Sequence, residues 1–339
     1  MLRGSRIVLG SYPTPVSRIG ERLWVKRDDL TSALYGGNKV RKLELLLGAA
    51  RDAGKTRILT LGAVGSHQVV ATALYGAREG FVVDAILVPQ PSSPHAELNV
   101  RVALAQGVHA LACPAWSLAP AYVAARWGSD AYFIPLGGSN ALGSLGFVDA
   151  AHELAAQVRA GELPEPDVVV VAMGSGGTAA GLAVGFEQAG LRTRVLGVAV
   201  APPTPVLRHM ARRLAQKTAA MAGLPVSAGL RAAKRIDVEG KWIGRGYGRP
   251  TDEGRAAMEV AKGLSSSLTL DATYTAKAFA CALDVSGSGS GSESERAWGS
   301  ARGSVLYWHT LSTAPLETLL GEGDARDAPL PRAVAALLK

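Results

Sequence analysis

Three short stretches carry side chains whose types and spacing could do chemistry. In `YGGNKVRKLE`, Tyr35 to Glu44, a lysine stands behind two glycines and an asparagine where a helical pattern begins. A cation at a helix N-terminus opposes the positive end of the macrodipole, so Lys39 is misplaced unless its amine has a use. `GSGGT`, Gly174 to Thr178, follows an apolar run and opens a helical one. Its glycines let the backbone wrap an anion, and Ser175 and Thr178 add hydroxyl donors, which makes a phosphate cradle; the plainer reading is a tight strand-to-helix turn. `GSHQ`, Gly65 to Gln68, also precedes a helical run. Ser66 reads first as an N-cap, yet Ser66, His67 and Gln68 together offer amides, a hydroxyl and an imidazole to one point, which suits a carboxylate.

Other candidates are weaker singly. Tyr247 in `YGRP` and Tyr274 in `DATYTAKAF` stand in a stretch poor in aromatics, where a buried tyrosine with a satisfied hydroxyl is the ordinary case. His309 and Thr310 end the run `SVLYWHT`. The G-x-G of Gly174 and Gly176 raises a dinucleotide fold, which wants an acidic residue closing the next strand; `RVLGVAVAPP` has none. Cys113 and Cys281 lie far apart and outside metal-ligand spacing, so they read as reduced core residues and no metal is expected. A lysine, a phosphate cradle and a carboxylate site are the parts that pyridoxal phosphate needs for its aldehyde, its phosphate and an amino-acid partner. In that setting the glycines before Lys39 would give a bulky ring room to approach.

The elements that must position these residues alternate along the chain. Apolar, β-branched runs `LWVKRDD`, `RILTLG`, `FVVDAILV`, `VHALAC`, `AYFIPLG`, `DVVVVAMG`, `RVLGVAV` and `SVLYWHT` are separated mostly by segments of helical period. In `VRKLELLLGAA` the apolar Val40, Leu43, Leu46, Leu47 and Ala50 recur on one face, with Lys39 at the start. The pattern predicts an α/β fold of open, mostly parallel twisted sheets flanked by helices, which bind ligands at the carboxyl ends of the strands. Those ends carry `GAVGSHQ`, `GGSNALG` and `GSGGTAAG`. `VSGSGSGSESERAWGS`, Val285 to Ser300, reads as a surface loop.

At 339 residues, 48% hydrophobic and 19% charged, the chain is not a disordered one. The net charge of +8 admits an anionic partner, but the densest basic groups, `RHMARR` and `RAAKR`, lack interleaved aromatics and read as solvated helix faces. Nucleic acid is not an expected partner, and neither is a membrane, since `MLRGSRIVLG` has no long apolar run. A cytoplasmic protein is expected.

From about `TPV` at Thr14 to Thr310 the chain resembles the tryptophan-synthase-β-like (fold type II) pyridoxal phosphate enzymes. Within them it is similar to the D-cysteine desulfhydrase and 1-aminocyclopropane-1-carboxylate deaminase group. The motifs are `KRDDL…GGNKVRKLE`, `GGSNALGSLGFVDA` and `MGSGGTAAGL`, in order. The resemblance implies that Lys39 bonds the cofactor's aldehyde and that Gly174, Ser175, Gly176, Gly177 and Thr178 hold its phosphate. Ser66 matches a serine contacting the substrate carboxylate, discussed as a nucleophile or proton carrier, with Gln68 beside it. Tyr247 and Tyr274 match two active-site tyrosines, and Thr310 matches the partner of the pyridine nitrogen in the desulfhydrases. The deaminases have a glutamate after the second tyrosine and a leucine at the strand end, where this chain has Thr275 and Thr310. Departures are His67 for the asparagine that touches the cofactor's phenolic oxygen, `HTLST` for `HTGG`, and Ala276 for a glycine.

The resemblance implies a homodimer with a cofactor cleft between a small domain, residues 50–150, and a large one, residues 1–49 and 151–339. The expected reaction is α,β-elimination from a small amino acid, first of all D-cysteine to pyruvate, sulfide and ammonium, with the freed Lys39 amine or a tyrosine removing the Cα proton. Ring-opening deamination, another elimination, racemisation and, from another class, a non-catalytic binding protein are the alternatives.

Overall fold

A computed structural model describes residues 5–201, 203–265, 268–287, 303–320 and 328–339. In chain order the strands are β1 (Val16–Arg18), β2 (Leu23–Arg27), β3 (Arg57–Ala63), β4 (Val82–Val88), β5 (His109–Ala112), β6 (Ala131–Ile134), β7 (Val168–Met173), β8 (Arg194–Ala199), β9 (Ile236–Glu239) and β10 (Val305–His309). Eight of them are the apolar runs of the sequence. The other two, β1 and β9, are short polar strands at the two edges of one sheet, where no second neighbour demands a continuous apolar run.

The chain divides into two compact units. One comprises Gly10–Asn38 and Asn140–Thr313. Among the described residues its sheet has the order β1-β2-β10-β7-β8-β9, parallel except for the β1–β2 pair. Leu23, Val25, Val170, Leu196, Val198 and Tyr307 of this sheet form a core with Phe279 and Ala276. Helices α5 (Ala141–Arg159) and α6 (Gly177–Ala189) approach at backbone contact: a Cβ on Gly181 would lie 2.2 Å from the Ser144 carbonyl. Of the six Lys and Arg residues read as solvated helix faces, Arg213 and Lys234 are exposed and the other four hold neighbouring elements. On α7 (Thr204–Met221), Arg208 and Arg212 donate to the Val238 and Ile236 carbonyls of β9. From α8 (Val226–Lys234) and its C-cap, Arg231 and Arg235 pair with Glu187.

The other unit comprises Met1–Leu9, Lys39–Ser139 and Ala314–Lys339, around a parallel sheet β5-β4-β3-β6. Its four strands fall inside the expected 50–150 span, but its edges do not. Helix α1 (Asn38–Asp52) packs here, with Val40, Leu43, Leu46, Leu47 and Ala50 all inaccessible to solvent. The C-terminal segment joins it through the Gln90–Leu338 bridge, a long-range pairing that local pattern does not reveal. The helices α2 (His67–Arg78), α3 (Pro94–Ala105) and α4 (Ala119–Arg126) complete the layers. Cys113 and Cys281 are free and buried, as expected of reduced core residues. Of the Gly/Ser-rich stretch read as a loop, with 286–292 at its heart, residues 288–300 lie outside the described residues.

Candidate active site

The larger unit holds the loop expected to cradle a phosphate. Strand β7 ends at Met173 and α6 begins at Gly177, so Gly174, Ser175 and Gly176 make the whole turn. Gly176 has φ +83°, and a Cβ there would come within 3.0 Å of Ala211, so the turn closes only around glycine. Gly174 is exposed and Ser175 half-exposed, while Thr178 is buried. Helix geometry leaves the first amides of α6 without an intrahelical acceptor, and the dipole favours an anion there. An open small-residue loop at the start of a 13-residue helix fits a phosphate group.

Asn38 ties this loop to two others. Its Nδ2 donates to Thr178 Oγ1 at 3.1 Å, and its backbone N–H donates to the Thr310 carbonyl at 3.1 Å. The glycines ahead of it have a different purpose from the one expected. A Cβ on Gly36 would sit 1.9 Å from the Asp29 carbonyl oxygen, and one on Gly37, at φ +89°, 2.5 Å from the Thr310 carbonyl oxygen. They let three backbone segments touch; the space is filled by protein rather than kept for a ring. Asp28 anchors the same corner. It accepts from Trp308 Nε1 at 2.8 Å and Thr14 Oγ1 at 3.1 Å, and its carbonyl accepts from Gly37 at 2.8 Å. Arg27 is bidentate to the buried Asp29.

Tyr247 and Tyr274 meet at their hydroxyls, 2.6 Å apart with the rings edge to face. Burial pushes the Tyr247 phenol up to about 12 and Tyr274 well above its ordinary range. A Cβ on Gly174 would lie 3.5 Å from Tyr274 Cε1, so the pair borders the cradle. Asp271 positions Tyr274 by accepting its backbone N–H at 2.7 Å, just ahead of α10 (Thr275–Val285). Thr275, standing where the deaminases have glutamate, bonds Asp271 Oδ2 at 2.7 Å. Its hydroxyl is thereby committed to the helix start, and of the two threonines Thr310 is the half-exposed one. Behind them, Tyr307 Oη donates to the Thr275 carbonyl at 3.3 Å and lies 3.0 Å from His309 Nδ1. His309 is fully buried, its Nε2 has no partner among the described residues, and burial pushes the ring down to about 4.

The smaller unit holds the remaining candidates. Lys39 is half-buried in the first turn of α1. One turn on, Lys42 donates to the Gly137 carbonyl at 2.9 Å and Ser139 Oγ at 3.2 Å, and its amine is pushed well down by burial and then by the Lys39 charge. Ser66 is the N-cap of α2, accepting from the Gln68 N–H at 3.2 Å, as the plainer reading had it. Gln68 points its amide nitrogen at Thr72 Oγ1, 2.7 Å away, rather than toward a shared point with Ser66. His67 Nε2 lies 3.0 Å from His95 Nε2. Asn38, Asp28, Lys42, Asp271 and His95 are absent from the candidates drawn from sequence; the first four stand inside the motifs `KRDD`, `YGGNKVRKLE` and `DATYTAKAF`, and only His95 lies outside them.

The model of the family described as "Pyridoxal-phosphate dependent enzyme" matches residues 7–294. The chain belongs to that family. Among curated members, a D-cysteine desulfhydrase of Klebsiella pneumoniae (strain 342) is 36% identical over 307 residues, spanning 84% of this chain and 89% of its own. One from Yersinia pestis is 34% identical over 327 residues, 90% and 93% of the two chains. Among solved structures, an "ACC deaminase homologue" superposes with a TM-score of 0.74 at 28% identity, over 94% of this chain and 97% of the other. A fungal L-serine ammonia-lyase from Rhizomucor miehei, TM-score 0.61 at 14% identity over 96% and 99%, shares the fold. The two mostly parallel, helix-flanked sheets are the architecture of these relatives. No helix among the described residues is long and apolar enough to cross a membrane.

Proposed function

We propose that this chain is a pyridoxal-phosphate-dependent lyase that eliminates the β substituent of a small amino acid, with D-cysteine as its substrate. The observation that carries it is the pair of bonds from Asn38, the residue preceding Lys39, to Thr178 of the cradle and to the Thr310 carbonyl. The substrate comes from the desulfhydrases at 34–36% identity.

In this reading Gly174, Ser175, Gly176, Gly177 and Thr178 hold the phosphate, and Lys39 provides the amine for the aldehyde. The bound cofactor supplies an electron sink for the pair left at Cα. Thr310 offers the ring nitrogen a hydroxyl, while Thr275 is held by Asp271. Ser66 serves the substrate carboxylate, and His67 serves the phenolic oxygen once its free ring nitrogen carries a proton, with Gln68 bracing α2 through Thr72. The Lys39 amine takes the Cα proton. Burial penalises the phenolates of Tyr247 and Tyr274, so this pair, with one O–H spent between its members, donates the other to the departing sulfur and does not act as the base. We place the enzyme in the cytoplasm as a homodimer; light scattering after size exclusion reads the latter.

Lys39→Ala is expected to abolish both the yellow absorbance of the purified protein and pyruvate formation from D-cysteine. A fully active, still yellow variant overturns the assignment. Formation of 2-oxobutanoate from 1-aminocyclopropane-1-carboxylate, without pyruvate from D-cysteine, would move the chain to the deaminases.

A further inference from the structure

We propose that His95 and Asn99 hold His67 as its Nε2–H tautomer, so that His67 works through Nδ1 as the proton acceptor for the ammonium group of a bound amino acid. The ligand's identity rests on the proposed function; the tautomer does not.

The chain of hydrogen bonds fixes the roles one by one. Asn99 is buried on α3, and its Nδ2 lies 2.8 Å from the Gly65 carbonyl. A carbonyl accepts only, so the amide nitrogen, a donor, must face it. The same nitrogen lies 3.4 Å from His95 Nε2, and an amide nitrogen can enter that contact only as a donor through its second N–H. His95 Nε2 therefore presents its lone pair. That same nitrogen is 3.0 Å from His67 Nε2, so the proton between the two rings belongs to His67. An imidazole protonated at Nε2 has its basic lone pair on Nδ1.

The backbone keeps this arrangement in place. Gly65 carries both ends of the device, since its carbonyl orients Asn99 and its N–H donates to Gln90 Oε1 at 3.1 Å. A Cβ on Gly65 would lie 2.6 Å from Ala96, so α3 packs directly on the loop that bears His67. His95 follows Pro94, the first residue of α3, whose N-cap Ser93 accepts from Ala96. The rings lie with centroids 4.8 Å apart and planes at 46°.

An amide at this position, the one the resemblance leads one to expect, could hydrogen-bond but could not take a proton. An amino acid arrives as its ammonium form and needs a lone pair on nitrogen before it can act as a nucleophile. In the proposed step an ammonium N–H bond breaks, the amine keeps the electron pair, and an N–H bond forms at His67 Nδ1. The imidazolium still donates Nε2–H to His95. His67 is the acceptor; His95 and Asn99 are positioning residues.

The test is imidazole-nitrogen NMR of the full-length protein labelled with 15N-histidine. With six histidines in the chain, His67 is assigned by difference against His67→Asn. Expected, with and without pyridoxal phosphate, is a protonated Nε2 and a bare Nδ1 on His67. His95→Gln, which still offers an acceptor oxygen, should preserve that pattern, and His95→Phe should lose it. Saturating D-alanine on the cofactor-loaded protein should protonate Nδ1. A protonated Nδ1 in the wild type before substrate, or a pattern indifferent to His95→Phe, overturns the tautomer assignment. A bare Nδ1 with D-alanine bound, as read from the cofactor's absorbance, overturns the acceptor role. A protein that takes up no pyridoxal phosphate overturns the proposed function and the acceptor role with it, while the cofactor-free spectrum separately decides the tautomer.

Discussion

The hydroxyl oxygens of Tyr247 and Tyr274 lie 2.6 Å apart, with ring centroids at 5.8 Å. Each phenol loses its water to burial, so ionising either would leave a buried charge beside the other's oxygen. In a spectrophotometric titration both should stay un-ionised near pH 10, where free tyrosine is about half ionised. The differences between wild type and Tyr247→Phe and between wild type and Tyr274→Phe isolate the two in turn. Tyr274→Phe should lower turnover by roughly 10²-fold, the low end for a lost proton-handling group. Pyruvate formation measures that.

Asn38→Ala removes the donor to Thr178 Oγ1 and leaves the backbone bond to Thr310 intact. One net hydrogen bond is worth about 1 kcal/mol, or roughly a fivefold weaker affinity for pyridoxal phosphate. Equilibrium dialysis reads the change, and an unaltered affinity would separate Asn38 from the cradle.

Gly37→Ala meets two penalties at once, a φ of +89° and a Cβ 2.5 Å from the Thr310 carbonyl oxygen. We expect a loss of about 2 kcal/mol or more in urea unfolding. Gly54→Ala is the control. Its φ is +64° with nothing within 4 Å, so only the backbone term of about 1 kcal/mol should appear.

His309 is neutral in the folded protein because burial pushes it down to about 4. The unfolded chain binds its proton near the ordinary value of about 6.5, so this depressed group favours folding above that pH. Its contribution, about 3 kcal/mol, should fade as the pH falls from about 6.5 toward 4. Urea midpoints across this range should slope downward in the wild type. The slope should flatten in His309→Asn, which has no proton to gain.

Much of the fold could be read locally. Strands β2, β3, β4, β7, β8 and β10 each have a neighbour on both sides and read as apolar runs; the edge strands β5 and β6 are legible as well because `HALA` and `AYFI` are mostly apolar. The edge strands β1, `VSR`, and β9, `IDVE`, were not legible because half or more of their few residues are polar, which an edge position tolerates. The buried face of α1 followed from its period, but the burial of Arg41, Lys42 and Glu44 on the same helix did not. Lys42 reaches Gly137 and Ser139, and Glu44 accepts from the Leu9 N–H, groups that the local pattern does not reveal.

The amino-acid sequence by itself determined the chemistry on offer: an amine at a helix start, an anion cradle after an apolar strand, a capped helix beginning with serine and histidine, and two tyrosines. Each is a local pattern, set by residue type and by what a turn or a helix end can do with its own neighbours. The tertiary structure alone decided which groups meet. It brought Asn38 to Thr178 across a separation of 140 residues, made Gly36 and Gly37 points of backbone contact, and turned Thr275 onto Asp271. It also set His95 against His67. Hydrogen bonds between remote segments depend on packing distance, and no spacing along the chain encodes a distance between residues that only folding makes neighbours.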